Sequence, residues 1–149
     1  MMLEQEINKE IKAAMLSKNE ARLRGLRAIK AAILLSKTEK GASEEITEDT
    51  EIKVLQKLAK QRRESAEIYK TQNREDLYKI EIEELEVIEG FLPKQLTEDE
   101  VREQIKSLIE SSGASSIKDM GKVMGLANKQ LAGKADGKMI SEVVKQMLS

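Results

Sequence analysis

The sequence predicts an all-α protein, and three observations predict it. Apolar residues recur at steps of three and four along successive segments, no stretch alternates apolar and polar residues for long enough to be a strand, and Pro93 is the only proline in 149 residues. Charged residues make up 36% of the chain, and the only aromatics are Tyr69, Tyr78 and Phe91. Aliphatic side chains on long amphipathic helices must therefore build the core.

The first helix runs from about Leu3 to Ser17, with Leu3, Ile7, Ile11, Ala14 and Met15 on its apolar face. Ser17-Lys18-Asn19 breaks it, and a second helix follows from about Glu20 to Thr38 with Leu23, Leu26, Ile29, Ile33 and Leu34 inward. So short a break makes the two antiparallel neighbours. Gly41 is placed to end the second helix, and Thr47 to cap a third whose first turn holds Glu48, Asp49 and Glu51, where the helix dipole favours acids. The third helix reaches about Thr71 along a seam of Ile52, Leu55, Ala59, Arg62, Ala66 and Tyr69. Asn73 closes it, and the fourth spans about Arg74 to Gly90 with Leu77, Ile80, Glu84, Ile88 and Phe91 on one face and Glu81 beside them. An arginine in an apolar seam must snorkel or pair. The expectation is a structural ion pair of Arg62 with Glu81 or Glu84 that fixes the register of these helices; the alternative is a catalytic carboxylate pair.

Pro93 cannot continue a helix and biases Leu92 towards extended geometry. It divides the chain into an N-terminal helical domain, residues 1–93, and a three-helix C-terminal module, residues 97–149. Thr97 to Glu100 is a capping box opening the fifth helix, which carries Val101, Ile105, Leu108 and Ile109 and ends at Gly113. Ser115 or Ser116 caps the sixth helix. Asp136 caps the seventh, which carries Ile140, Val143, Val144, Met147 and Leu148.

Composition narrows the function. Without cysteine or histidine there is no disulfide, no thiolate or imidazole metal site and no Ser-His-Asp arrangement. Neither phosphate-binding glycine motif occurs, so no catalytic residue, metal or cofactor is expected. No apolar run approaches the roughly 18 residues of a membrane span, and the first helix is too charged for a signal peptide, so a soluble cytoplasmic protein without a membrane partner is expected. The net charge of −1 argues against coating nucleic acid by bulk positive charge, but the charge is uneven. Residues 97–112 hold five acids against Arg102 and Lys106, whereas residues 113–149 hold six lysines against three acids.

The basic part centres on the sixth helix. Ile117, Met120, Met124, Ala127 and Leu131 make its apolar stripe, with Gly121 and Gly125 along the flank and Lys118, Lys122 and Lys129 on a line beyond. Each helix glycine costs up to ~1 kcal/mol relative to alanine, so two of them four apart imply that something comes close to the backbone: another helix, an RNA backbone or a partner protein. Lys134 follows in the turn after Gly133, and Lys138 lies in the first turn of the last helix, where bare N–H groups could hold a phosphate. From these residues alone a solvated charged face is the alternative; with so few rings base stacking is not the mode, so if RNA binds, phosphate contacts and shape carry it, as for structured RNA, and DNA is not expected as a partner.

Short pieces in conserved order carry a resemblance. Leu58-Ala-Lys-Gln-Arg-Arg-Glu-Ser65, Phe91-Leu-Pro-Lys-Gln-Leu96, Asp119-Met-Gly-Lys-Val-Met-Gly125 and Gly133-Lys-Ala-Asp-Gly-Lys138 together resemble the YqeY-like proteins, stand-alone relatives of the tail domain of the GatB subunit of tRNA-dependent amidotransferases. The resemblance implies a helical N-terminal region followed by a three-helix module, and a surface that faces tRNA, with an aminoacyl-tRNA or amidotransferase complex as further partner. Gly121, Val123, Met124, Gly133, Lys134 and Ala135 match the tail pattern, whereas Asp136-Gly137 stand where those tails have Asn-Pro. The reading is a non-catalytic tRNA-associated module linked to glutamine-dependent amidotransferase metabolism, with Lys118, Lys122, Lys129, Lys134 and Lys138 on phosphates and Gly121, Gly125 and Gly133 shaping the surface. A helical protein adaptor using a Gly121/Gly125 groove is the alternative, and a carbon-nitrogen ligase acting in its own right with glutamine as amido donor is a third.

Overall fold

The computed structural model describes residues 2–39 and 46–149, and among these the chain is all helical. Helices α1 (Met2–Leu16), α2 (Glu20–Glu39), α3 (Glu48–Thr71) and α4 (Glu75–Glu89) form one compact unit, Met1–Leu92. Helices α5 (Glu98–Ser112), α6 (Met120–Gln130) and α7 (Gly137–Leu148), with a 3₁₀ turn at Ile117–Asp119, form the second, Pro93–Ser149. Gly41 lies outside the described residues.

In the first unit the breaks are made by residues that tolerate left-handed backbone in short turns. Lys18 has φ 58° between α1 and α2, and Asn73 has φ 57° between α3 and α4. Glu10–Arg22 at 3.0 Å and the Glu4–Lys37 pair tie α1 to α2 along the antiparallel hairpin. The core gathers Ile7, Leu26, Ile29, Ile33, Leu55, Ala59 and Ile88, all nearly free of solvent. The apolar stripes are narrower than three-and-four stepping suggests. Met15 is 55% exposed, standing about 80° round α1 from Ile7, and Leu34 is 44% exposed, more than 100° round α2 from the middle of its stripe. Ile80 is 39% exposed, whereas Leu58, Leu85 and Val87 are buried instead. Helix α4 packs against both α2 and α3, so it buries two sides where one seam was expected. Glu51, in the first turn of α3 as expected, is only 8% exposed; burial, with Glu48 nearby, pushes its carboxyl above the ordinary range.

Gly25 explains how α2 and α4 come so close. A Cβ at this position would sit 2.7 Å from Val87 Cβ, 2.9 Å from Cγ1 and 3.0 Å from Cγ2. Valine is branched at Cβ and stiff at χ1, so it cannot step aside. Gly25→Ala gains up to ~1 kcal/mol of helix propensity but overpacks the contact by roughly 1–3 kcal/mol, and the second effect wins. The expected result is a lower melting temperature; a Gly25→Ala protein more stable than wild type would refute the close contact.

In the second unit the caps lie where the sequence puts them. Thr97 Oγ1 accepts from Glu100 N–H at 3.2 Å, and the Glu100 carboxylate accepts from Thr97 N–H at 3.1 Å. Gly113 ends α5 at φ 74°, and the Asp136 side chain caps α7. Val101, Ile105, Val123, Ala127, Leu131, Ile140, Val143 and Val144 close the core.

Candidate nucleic-acid interface

The sixth helix starts later than its periodicity suggests. Ser116 caps a 3₁₀ turn, and α-helical winding begins only at Met120. Ile117, expected in the apolar stripe, is accordingly 47% exposed, and Val123, which was not placed there, is fully buried. Lys118 belongs to the same 3₁₀ turn, so it does not continue the α-helical line of Lys122 and Lys129.

Counting from the buried side of Val123, Ala127 and Leu131, the opposite pole of α6 carries Gly125, Lys122 and Lys129, with Gly121 next to it. All four are exposed. A methyl group added at Gly121 or Gly125 would meet nothing within 4 Å. Among the described residues no helix of this unit packs there, and the surface is an open face of α6, not a groove.

The lysines stand on three supports around this face. Lys122 Nζ donates to Ser112 O at 3.3 Å, meeting a carbonyl at the end of α5 where the dipole favours a cation; an ammonium keeps two further donors. Lys129 is exposed one turn beyond Gly125. Lys134 is exposed in the turn after α6, where Gly133 adopts φ 75°. Lys138 is exposed in the first turn of α7.

One N–H at the start of α7 is taken by the chain itself: Asp136 Oδ1 accepts from Lys138 N–H at 3.4 Å. A second carboxylate serves the 3₁₀ turn before α6, whereas α6 itself has no side-chain cap at its start. Asp119 Oδ2 accepts from Ser115 N–H at 2.9 Å and Ser116 N–H at 3.4 Å, which holds its carboxyl below the ordinary aspartate range. A lowered carboxyl pKa stabilises the fold above the unfolded value and is lost as pH falls through the folded one. In a pH titration followed by amide NMR, the Ser115 and Ser116 resonances should hold their positions down past the ordinary aspartate value of 3.8 and move only below it. Movement centred at that value would contradict the cap.

Arg62, Glu81 and Glu84 belong to the first unit. Arg62 Nε lies 2.8 Å from Glu84 Oε2 and 3.8 Å from Glu81 Oε2, and each of the three side chains is about one-quarter exposed or less. Arg62 Nε and Glu81 Oε2 are buried without an aligned hydrogen bond, so the contact is an ion pair across α3 and α4. Burial raises the Glu81 carboxyl pKa, Arg62 opposes this, and Glu84 adds to it. Among the described residues no group of three or more acidic, cysteine or histidine side chains is arranged to hold a metal ion, and no helix is long and apolar enough to cross a membrane.

Sequence reasoning missed Gln95. Its side-chain amide donates to Gly133 O at 2.7 Å, beneath the Lys134 turn. The signal was there in Phe91-Leu-Pro-Lys-Gln-Leu96, a run read as a boundary and as part of the resemblance but not as part of the surface.

Fold and surface together define a class: an all-α protein of two helical units, the second presenting a helix face of glycine and lysine. The chain belongs to the family of Yqey-like proteins, whose model matches residues 4–148. It is 33% identical over 144 residues to Altered inheritance of mitochondria protein 41, mitochondrial, of Pyrenophora tritici-repentis, covering 93% of this chain and 77% of the relative. It is 29% identical over 126 residues to the protein of the same name from Clavispora lusitaniae, covering 83% and 72%. Both relatives are named as mitochondrial, which overturns the cytoplasmic location expected from the sequence. That expectation came from the composition of a charged helical body, which suits more than one compartment equally well.

Proposed function

We propose that this Yqey-like protein is a non-catalytic module that binds structured RNA, tRNA foremost, through the outward face of α6 and the lysines around it. The observation that carries this reading is the pair Gly121 and Gly125, exposed at the pole of α6 with nothing within 4 Å. A glycine kept small for internal packing is found packed, as Gly25 is against Val87. Gly121 and Gly125 weaken α6 and admit no neighbour from the fold, so the bare backbone serves something outside it.

Lys122 and Lys129 flank that bare strip about 10 Å apart along the helix, within reach of phosphates lying over the glycines. Because a carboxylate of the chain lies at the start of α7, lysine ammonium groups would carry most of the phosphate contacts. The resemblance of Asp119–Gly125 and Gly133–Lys138 to the amidotransferase tail supports tRNA as the RNA, and amidotransferase-linked aminoacyl-tRNA metabolism as its setting.

The test is Gly121→Ala with Gly125→Ala. Open space around both sites means the double variant should be more stable by about 1–2 kcal/mol, while its affinity for tRNA falls because two methyl groups hold the phosphates off. Greater stability with unchanged affinity would defeat the reading. Leu126, 39% exposed on α6, favours a protein partner on this face; an adaptor of that kind would bind no tRNA even at low salt.

A further inference from the structure

We infer that Gln95 is a positioning residue for Lys134, an inference that rests on the RNA-binding reading of this surface. A lysine in a turn of Gly133-Lys134-Ala135 would ordinarily have a loose base. Here every neighbouring peptide group is held. Gln95 Nε2 donates to Gly133 O at 2.7 Å, Lys134 N–H donates to Leu131 O at 2.9 Å, and Leu96 N–H donates to Lys134 O at 2.8 Å. Ala135, the next residue, is buried in the core of the second unit. The Lys134 backbone is therefore fixed on both sides while its side chain remains exposed.

Of these three bonds, the one from Gln95 is made by a side chain. Its amide also donates to Pro93 O at 2.8 Å, so both of its N–H groups are used on carbonyls, and Pro93 in turn restricts the backbone that carries it. Glutamine suits the position because it supplies two donors without charge. Glutamate would place an acceptor against two carbonyl oxygens, and methionine has nearly the same length without a donor. Left-handed Gly133, at φ 75°, presents the carbonyl that Gln95 grips. A phosphate-binding lysine mounted on a base set before the ligand arrives loses less on binding than one that must be ordered by it.

The experiment compares wild type, Gln95→Met, Lys134→Ala and the double variant, using labelled tRNA and backbone NMR relaxation of the free proteins. Gln95→Met should lower the order parameters of Gly133 and Lys134 while those of α6 and α7 stay unchanged. It should weaken tRNA binding about three- to tenfold, the reciprocal of the fraction of time the turn keeps its wild-type form. In the Lys134→Ala background the same change should cost nothing further, a non-additivity that a merely structural role would not produce. An unchanged turn in free Gln95→Met overturns the inference whatever happens with RNA. So does a loosened turn with unchanged affinity, or a loss of affinity that persists without Lys134. Failure of wild type to bind tRNA would instead remove the RNA-binding reading, and the positioning role with it.

Discussion

Arg62→Ala should lower the melting temperature of the N-terminal unit by roughly 8–16 °C, corresponding to about 2 kcal/mol at ~4–8 °C per kcal/mol for a unit of this size. Removing one partner of a fully buried pair costs about 3–5 kcal/mol; the side chains here keep 15–24% of their exposure, so water screens part of the loss. The cost arises less from the lost attraction than from what remains. Glu81 and Glu84 would face each other across a half-dry surface with no cation between them.

The pH dependence follows with a definite sign. Glu81 has a carboxyl pKa raised by burial, so its native state holds a proton more readily than the unfolded chain. Stability contributed by such a group is present at low pH and lost as pH rises through the folded value. Removing Arg62 takes away the charge that opposes the upward shift, so the defect of Arg62→Ala should shrink as pH falls from 7 towards the ordinary carboxylate range. Glu81→Gln in the same background should relieve it at pH 7. A melting temperature unchanged by Arg62→Ala would show that the pair does not hold α3 against α4.

The second large effect concerns binding. Changing Lys118, Lys122, Lys129, Lys134 and Lys138 together to alanine leaves Lys145 alone against three acids in residues 113–149. Affinity for tRNA should fall about 100-fold or more at low salt, and what binding remains should lose most of its salt dependence. Folding should survive, since all five side chains are exposed and the contact Lys122 makes with another helix is a hydrogen bond to the carbonyl of Ser112. Circular dichroism on the same preparation checks this. Changing Lys53 and Lys57 of α3 instead should have little effect, and equal losses from both sets would point to general charge attraction without a defined site.

Local signals in the sequence proved the most legible. The Thr97–Glu100 box, the Ser116 and Asp136 caps, the left-handed end at Gly113 and the helix-closing Asn73 depend on contacts within a few residues, and the chain carries all that determines them. What depends on neighbours distant in sequence was less legible. Val87 is buried because Gly25, far away in the chain, lets α2 approach a second side of α4. Val123 replaces Ile117 in the core because a 3₁₀ turn precedes α6 and shifts where helical phase begins. The same shift separates Lys118 from Lys122 and Lys129.

The surface of α6 shows both sides of this. Two glycines four residues apart announced a close approach, but nothing in the residues alone distinguished a packed helix from an open face. The empty space over Gly121 and Gly125 makes that distinction. The capping carboxylate of Asp136 was likewise readable as a cap, while its effect, taking up one N–H at the start of α7, becomes plain only with Lys138 N–H turned towards it.

The central claim, that α6 and its lysines bind RNA through phosphates, is tested most directly by titrating labelled tRNA with the wild-type chain at several salt concentrations. About five lysine–phosphate contacts predict that the logarithm of the binding constant falls with the logarithm of salt at a slope of about −3 to −4. No binding at low salt, or binding with a slope near zero, would contradict it.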